Sequence, residues 1–202
     1  AETVRDQALF VSGLLKEKLG GPSVRPYQPE GLWKEIASTT EYNQSHGEDL
    51  YRRSLYTYWK RTVAPPTMVT LDATARESCV VKRSRTNTPL QALALMNEIT
   101  FVEAARVLAQ RVMRTSGESI DDRLDQAFLI TIGRPPAAAE RNVLQTALQR
   151  YQDSFRDNPQ AAGQLLAVGE TRRDENQDVT ELAAWTMTMS VILNLDEMIT
   201  KE

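Results

Sequence analysis

Arg85-Thr86-Asn87-Thr88-Pro89-Leu90-Gln91 places a basic turn directly in front of a helix start. Thr88 supplies the cap, Pro89 takes the first helical position where a missing N–H costs nothing, and Gln91 stands where its side chain reaches back to the Thr88 backbone. A helix therefore begins at Pro89. Leu90, Leu93 and Ala94 share one face of it, Asn97 interrupts, and Phe101, Ala105, Leu108 and Val112 resume at helical spacing, so a break or kink near Asn97-Glu98 separates two helices.

Helical periodicity continues toward the C-terminus. Thr115 to Glu118 reads as a turn; Ile120, Leu124, Ala127, Phe128 and Thr131 form the next stripe, and Leu144, Leu148, Tyr151 and Phe155 another. The short connector Gly133-Arg134-Pro135-Pro136 between them predicts an antiparallel helical hairpin. Asn158-Pro159 starts a short helix through Val168, a polar loop follows from Gly169 to Asn176, and Asp178 to Glu181 opens a last helix whose Leu182, Trp185, Thr186, Met189, Ile192 and Leu193 face a core.

Toward the N-terminus, Val4, Ala8, Val11, Leu15 and Leu19 predict a first helix capped by Thr3 and stopped by Gly20-Gly21. Three prolines between Gly21 and Pro29 make the next stretch extended loop, and a short helix near Glu30 to Ala37 carries Trp33. The aromatic spacing from Asp49 to Val63, with Tyr51, Leu55, Tyr58 or Trp59 and Thr62 on one face, predicts an amphipathic helix closed by Pro65-Pro66. Met68 to Arg85 lacks clean periodicity and reads as irregular. The expected fold is all-α, an orthogonal or bundle-like domain of about eight helices with long irregular loops between residues 20 and 88. Residues 1–202 read as a single helical domain, divisible at most into an irregular and helical half, 1–115, and a hairpin plus final helix, 116–202.

Composition narrows the function classes. The chain of 202 residues is 41% hydrophobic and 25% charged, which fits a folded domain, and its net charge of -3 argues against a general nucleic-acid binder. One cysteine, Cys79, excludes an internal disulfide framework and a Cys-x-x-Cys site, and one histidine, His46, makes a zinc site improbable. His46 sits in Gln44-Ser45-His46-Gly47-Glu48-Asp49, which reads as solvated loop, and no Gly-x-Ser-x-Gly elbow accompanies it. No apolar run reaches the roughly 18 residues of a membrane span, and the opening residues are no signal peptide, so a mature fragment or excised domain of a larger protein is expected.

Two constellations are candidates for binding. Lys82, Arg83 and Arg85, with Asn87 and Thr88, stand before a helix N-terminus, whose free N–H groups and partial positive charge suit phosphate, sulfate or carboxylate. The plainer reading is a cap, a turn and arginines paired with acids such as Asp72 or Glu77. Arg52 and Arg53 lie beside Tyr56, Tyr58, Trp59, Lys60 and Arg61, with Tyr56 and Trp59 as an aromatic face; arginine beside aromatics grips sugars, phosphates or single-stranded nucleic acid, or else decorates a core helix. The carboxylate pairs Asp121-Asp122, Asp174-Glu175 and Asp196-Glu197 are better explained as helix starts or solvated surface than as hydrolytic pairs. Trp185, Met187 and Met189 read as core rather than as a cofactor groove.

The run Tyr51 to Arg61, the run Arg85 to Leu93, Phe101-Val102-Glu103-Ala104-Ala105, Gly133-Arg134-Pro135-Pro136, Glu181 to Trp185 and Leu193 to Glu197 together resemble the planctomycete-specific domain of unknown function 1553. The resemblance implies the C-terminal part of a secreted or cell-surface bacterial protein, hence an extracytoplasmic location, in parents that often carry a cytochrome-c-like domain. Haem would belong to that separate domain, since Cys-x-x-Cys-His is absent here, and no cofactor is expected in this segment. Ile99 stands where members commonly have proline, so a kink is expected near Asn97, and Ala137-Ala138 replaces a frequent Thr-Pro. Three functions stay open: an interaction or scaffold domain with an anion-recognising face near Arg83 to Thr88; an accessory or substrate-binding part of an enzyme acting on extracellular polysaccharide, sulfated or not, with Arg52, Arg53 and Arg85 on the substrate and the catalytic groups outside this segment; and a surface for electron transfer. The expected partners are other domains of the parent chain, a polysaccharide or another surface protein, with no nucleic acid.

Overall fold

A computed structural model describes residues 1–37, 41–117 and 119–200; Glu118, the end of the expected turn, lies outside them. Ten α-helices and two short 3-10 turns appear among the described residues: α1 (Glu2–Ser12), α2 (Leu32–Ala37), the turns Gly47–Tyr51 and Ser54–Tyr56, α3 (Pro66–Thr70), α4 (Pro89–Asn97), α5 (Ile99–Thr115), α6 (Ile120–Thr131), α7 (Ala138–Asp157), α8 (Pro159–Leu166), α9 (Val179–Leu193) and α10 (Asp196–Ile199). The fold is all-α; only isolated backbone bridges, such as Val24 with Thr57, join extended pieces.

Helix α9 is apolar on all sides, which fits a position at the centre of the core. Leu182, Trp185, Met189 and Ile192 are buried, and the hydroxyls of Thr186 and Thr188 donate to the carbonyls of Leu182 and Ala184, leaving no unpaired polar group on those side chains. Helix α5 packs along α9, α1 lies against α5, and α7 and α8 close the other side of α9. One hydrophobic cluster runs from Ala8 through Leu108, Phe128 and Leu148 to Met198.

The predicted starts at Pro89, Ile120, Pro159 and Val179 are present, with side-chain caps from Thr88, Ser119, Asn158 and Asp178. Between α4 and α5 the chain breaks outright where the resemblance implied a kink: Glu98 leaves helical geometry at ψ 139 and its carboxylate accepts from the Thr100 N–H, so a side-chain cap separates the two helices without a proline. Helices α6 and α7 form the hairpin, bridged by Arg141 to Asp121 at 3.1 Å and to Asp125. At its turn Arg134 binds Glu140 at 2.7 Å and Glu197 of α10 at 2.8 Å. Helix α7 starts at Ala138 without a side-chain cap from Ala137; Glu140 instead accepts the Ala137 N–H at 2.6 Å.

Three expectations fail in the N-terminal half. Thr3 does not cap the first helix but lies inside it, since α1 begins at Glu2 after Ala1 with no side-chain cap. The first helix ends at Ser12, because Gly13 turns left-handed at φ 87, and Leu19 is 83% exposed rather than part of a buried stripe. Residues 49–63 are not a helix. The carbonyls of Leu50 and Arg52 accept from the buried Arg5 guanidinium at 2.7 and 3.0 Å, while Tyr56 and Tyr58 exchange main-chain hydrogen bonds with Val24. Those carbonyls and amides are taken by distant partners, so no i to i+4 ladder forms.

A second polar node ties the halves together. Glu103 of α5 is fully buried and accepts from the hydroxyls of Tyr27 (3.0 Å) and Tyr51 (2.9 Å) and from the Thr171 N–H (2.7 Å). Burial, reinforced by Tyr51 and the Glu103 charge, pushes the Tyr27 phenol up. Gly169 passes so close that a Cβ there would overlap the Glu103 carboxyl.

The glycines make this closeness testable. Gly133 and Gly169 share left-handed backbones at φ 84 and 88, and Gly133 has open space where Gly169 has Glu103. Gly133→Ala should cost about 1–2 kcal/mol from backbone strain alone, and Gly169→Ala a further ~1–3 kcal/mol from overpacking, read by urea denaturation of both variants; equal losses would disprove the contact.

Acid should find the hairpin turn. The Arg134 guanidinium, with the Ala137 N–H, holds the Glu140 carboxyl down at about 2. A carboxyl lower in the folded than in the unfolded chain stabilises above its unfolded value of 4.5, and that contribution fades as pH falls through about 2. Thermal melts over this window should show a steeper loss in the wild type than in Glu140→Gln, and parallel curves would refute the assignment.

Candidate functional site

The basic and capping residues singled out in the sequence separate into three environments. Thr88 and Gln91 form the reciprocal cap: the Thr88 N–H donates to Gln91 Oε1 at 3.1 Å, and the Gln91 N–H to Thr88 Oγ1 at 3.3 Å. In front of them sits a carboxylate of the chain itself. Asp72 accepts from the Thr86 N–H at 2.7 Å, from the Thr86 hydroxyl and from the Gln91 amide at 3.2 Å, and the Thr86 N–H foremost holds its carboxyl low. The anion expected before this helix is thus supplied internally, and Asp72 pairs with Thr86 rather than with an arginine. Lys82, Arg85 and Asn87 are exposed, and neither Lys82 nor Arg85 forms an ion pair among the described residues.

Arg52 is turned into the protein. It is 1% exposed, and its guanidinium donates to the carbonyls of Pro22 and Lys18 at 3.0 Å each and to that of Gly20. Its Cζ lies 3.9 Å from the Tyr56 ring centroid, and the Tyr56 hydroxyl accepts the Gly20 N–H. Trp59 likewise carries the Arg76 guanidinium at 4.6 Å. Each ring of the expected aromatic face therefore already has one side occupied by an arginine.

Arg53 and Arg83 come together, across an open groove of about 530 Å³. Its floor is one face of α1, formed by Glu2, Thr3, Asp6, Gln7 and Phe10, whose spacing repeats every turn. Arg53 and Leu55 line it from the segment after the first 3-10 turn, and Arg76 and Arg83 from the segment after α3. The groove is graded along α1. At the N-terminal end Arg83 binds Glu2 at 2.6 Å, and this bond depresses the Glu2 carboxyl. In the middle Asp6 lies 3.7 Å from Arg53 and accepts the Ser54 N–H at 2.7 Å. At the far end stand Phe10 and Leu55, 63% and 67% exposed.

Sequence reasoning found two of the groove's charges, Arg53 and Arg83, and missed Glu2, Asp6, Arg76 and its apolar end. Leu55 belonged by spacing to the expected buried stripe of residues 49–63, and Phe10 fell off the stripe of α1 without being read as a surface. Elsewhere, His46 is exposed and its Nδ1 lies 2.8 Å from Glu170, and no cluster of metal-ligating side chains occurs among the described residues. No helix among them is long and apolar enough to cross a membrane.

The neighbours Arg52 and Arg53 separate fold from surface. Arg52→Ala removes a buried guanidinium and its three charge-assisted hydrogen bonds, about 1.5–3 kcal/mol apiece before water replaces them, whereas Arg53→Ala should stay within about 0.5 kcal/mol. Chemical denaturation should therefore show a large loss for the first and almost none for the second; similar values would contradict the placement of Arg52.

No curated protein and no solved structure matches the chain. A family model described as a protein of unknown function, DUF1553, matches residues 1–148. That span contains the whole floor and both walls of the groove, as well as α4 and α5, and by it the chain belongs to the DUF1553 family.

Proposed function

We propose that this domain is an interaction and scaffold domain that receives a linear, anion-bearing segment of a partner in the groove along α1. The grading of that groove carries the reading: guanidinium groups of Arg83 and Arg53 at one end and in the middle, exposed Phe10 and Leu55 at the other. Arginine offers a planar fork of donors that suits carboxylate and sulfate, and an apolar end discriminates among anions that arginine alone accepts equally. Residues 2 to 10 of a helix span about 12 Å, the reach of three or four residues of extended polypeptide. On the strength of the family resemblance alone, we place the parent among secreted or cell-surface bacterial proteins, with its own other domains or another surface protein as the partner and haem confined to a separate domain.

The competing reading, a substrate-binding part of an enzyme on sulfated polysaccharide, draws on the same arginines. Sugar rings favour open aromatic faces, and Tyr56 and Trp59 each have an arginine on one side.

Calorimetric titration separates the two. A short acidic peptide ending in leucine and phenylalanine should bind saturably, and Arg53→Ala and Arg83→Ala should each weaken it about tenfold, one lost charge-assisted hydrogen bond, with melting temperatures almost unchanged. Tighter binding of a sulfated oligosaccharide than of the peptide would transfer the site to the polysaccharide reading, and indifference to both ligands would end the proposal.

A further inference from the structure

Helix α4 is turned inside out. Leu90, Leu93 and Met96 are 60%, 58% and 53% exposed and recur every three residues, which makes one apolar stripe facing solvent. Its inner side buries Leu95 and a polar residue, Gln91, whose amide is engaged by Asp72 and Thr86. Capping and the Asp72 network therefore account for the inner first turn, and nothing in this chain's core accounts for the outer stripe. Val69 of the adjoining α3, 49% exposed, adds apolar surface beside this helix.

The approach to the stripe is basic. From Arg76 to Pro89 four basic residues stand against the single acid Glu77, in a chain whose net charge is -3. Of those four, Arg83 is held by Glu2 and Arg76 lies on Trp59, while Lys82 and Arg85 are exposed with no ion pair among the described residues. Two unneutralised cations thus lead into an uncovered apolar helix face.

We propose that the outer face of α4 docks an amphipathic acidic helix of a partner polypeptide, its apolar stripe covering Leu90, Leu93 and Met96 and its flanking carboxylates meeting Lys82 and Arg85. Helix-on-helix docking matches a stripe of this length and spacing, and the acidic flank supplies register and discrimination against basic helices. This surface is distinct from the groove: of the groove's residues only Arg76 and Arg83 lie on the same segment, and they are held by Trp59 and Glu2.

The probe is a fluorescein-labelled peptide of about 18 residues, long enough to hold a helix, with leucines at helical spacing flanked by glutamates. Anisotropy should report saturable binding that weakens at least tenfold in Leu93→Glu and about tenfold in Lys82→Glu/Arg85→Glu, one such step being 1.4 kcal/mol. Arg53→Ala, which alters the groove, should leave it unchanged. Leu90→Ser serves as the second stripe variant, and unaltered circular dichroism and melting confirm that both are folded. Equal binding of a peptide with lysines for glutamates, indifference to both stripe variants, or no saturation overturns the proposal. So does concentration-dependent self-association in sedimentation that Leu93→Glu abolishes, which gives the face to a second copy, or binding confined to anionic phosphatidylserine vesicles, which gives it to a lipid surface.

Discussion

Buried backbone carbonyls outside helices must find donors and buried guanidinium groups must find acceptors, and two buried arginines meet both demands in the irregular N-terminal half. Arg5 reaches from α1 to the carbonyls of Leu50 and Arg52 and to the Ser54 hydroxyl. Arg52 passes the connection on to the carbonyls of Lys18, Gly20 and Pro22. Helix α1, the segment around residue 52 and the glycine-rich loop near residue 20 are thereby fixed to one another by hydrogen bonds from charged donors, stronger than those between neutral groups. The groove depends on this directly. With Arg52 drawn inward, the chain turns Arg53 outward over Asp6 and sets Leu55 beside Phe10, so the wall of the binding surface is the reverse side of a structural clamp.

Glu103 does for the middle of the chain what Arg5 does for its start. A buried carboxylate is tolerable only with several donors, and Glu103 has two phenols and a backbone N–H, with Arg106 at 3.6 Å. These come from four separate stretches, so the node joins the loop at Tyr27, the turn at Tyr51, helix α5 and the loop at Thr171. The demand for space at Gly169 is its steric counterpart.

The helices most legible in the sequence are those with both a cap and an apolar stripe: Thr88, Asn158 and Asp178 each sit before a run of helical spacing and each is the observed start, while the stripe from Ile120 was read without its cap, Ser119. What misled was periodicity without a cap. Residues 49–63 carry aromatics at helical intervals, yet the carbonyls of Leu50 and Arg52 belong to Arg5, and the Tyr56 carbonyl and Tyr58 amide to Val24, partners tens of residues away that no local pattern reveals. The candidate site divided along the same line. Arg53 and Arg83 stood out by charge and do line the groove, whereas Arg52, identical in type and adjacent in sequence, is interior; only the direction in which the backbone turns distinguishes them. Phe10, Leu55 and Arg76 carried no local signal, because the groove is assembled from three segments whose proximity is tertiary.

The groove's own carboxylates set the terms on which a ligand enters. Arg83 already holds Glu2 at 2.6 Å, and Arg53 has Asp6 within 3.7 Å, so an incoming anion competes with an internal one and gains only the difference between the two interactions. A free anion such as sulfate gains little from such an exchange in water, where exposed ion pairs are each worth about 0–1 kcal/mol. A ligand that also covers Phe10 and Leu55 adds burial worth about 25 cal/mol for each Å² of apolar surface removed from water, which the internal carboxylates cannot match. Charge then positions the ligand and apolar contact retains it. That division of labour suits recognition of a segment with both chemistries, and it explains why the two ends of one helix face differ so sharply.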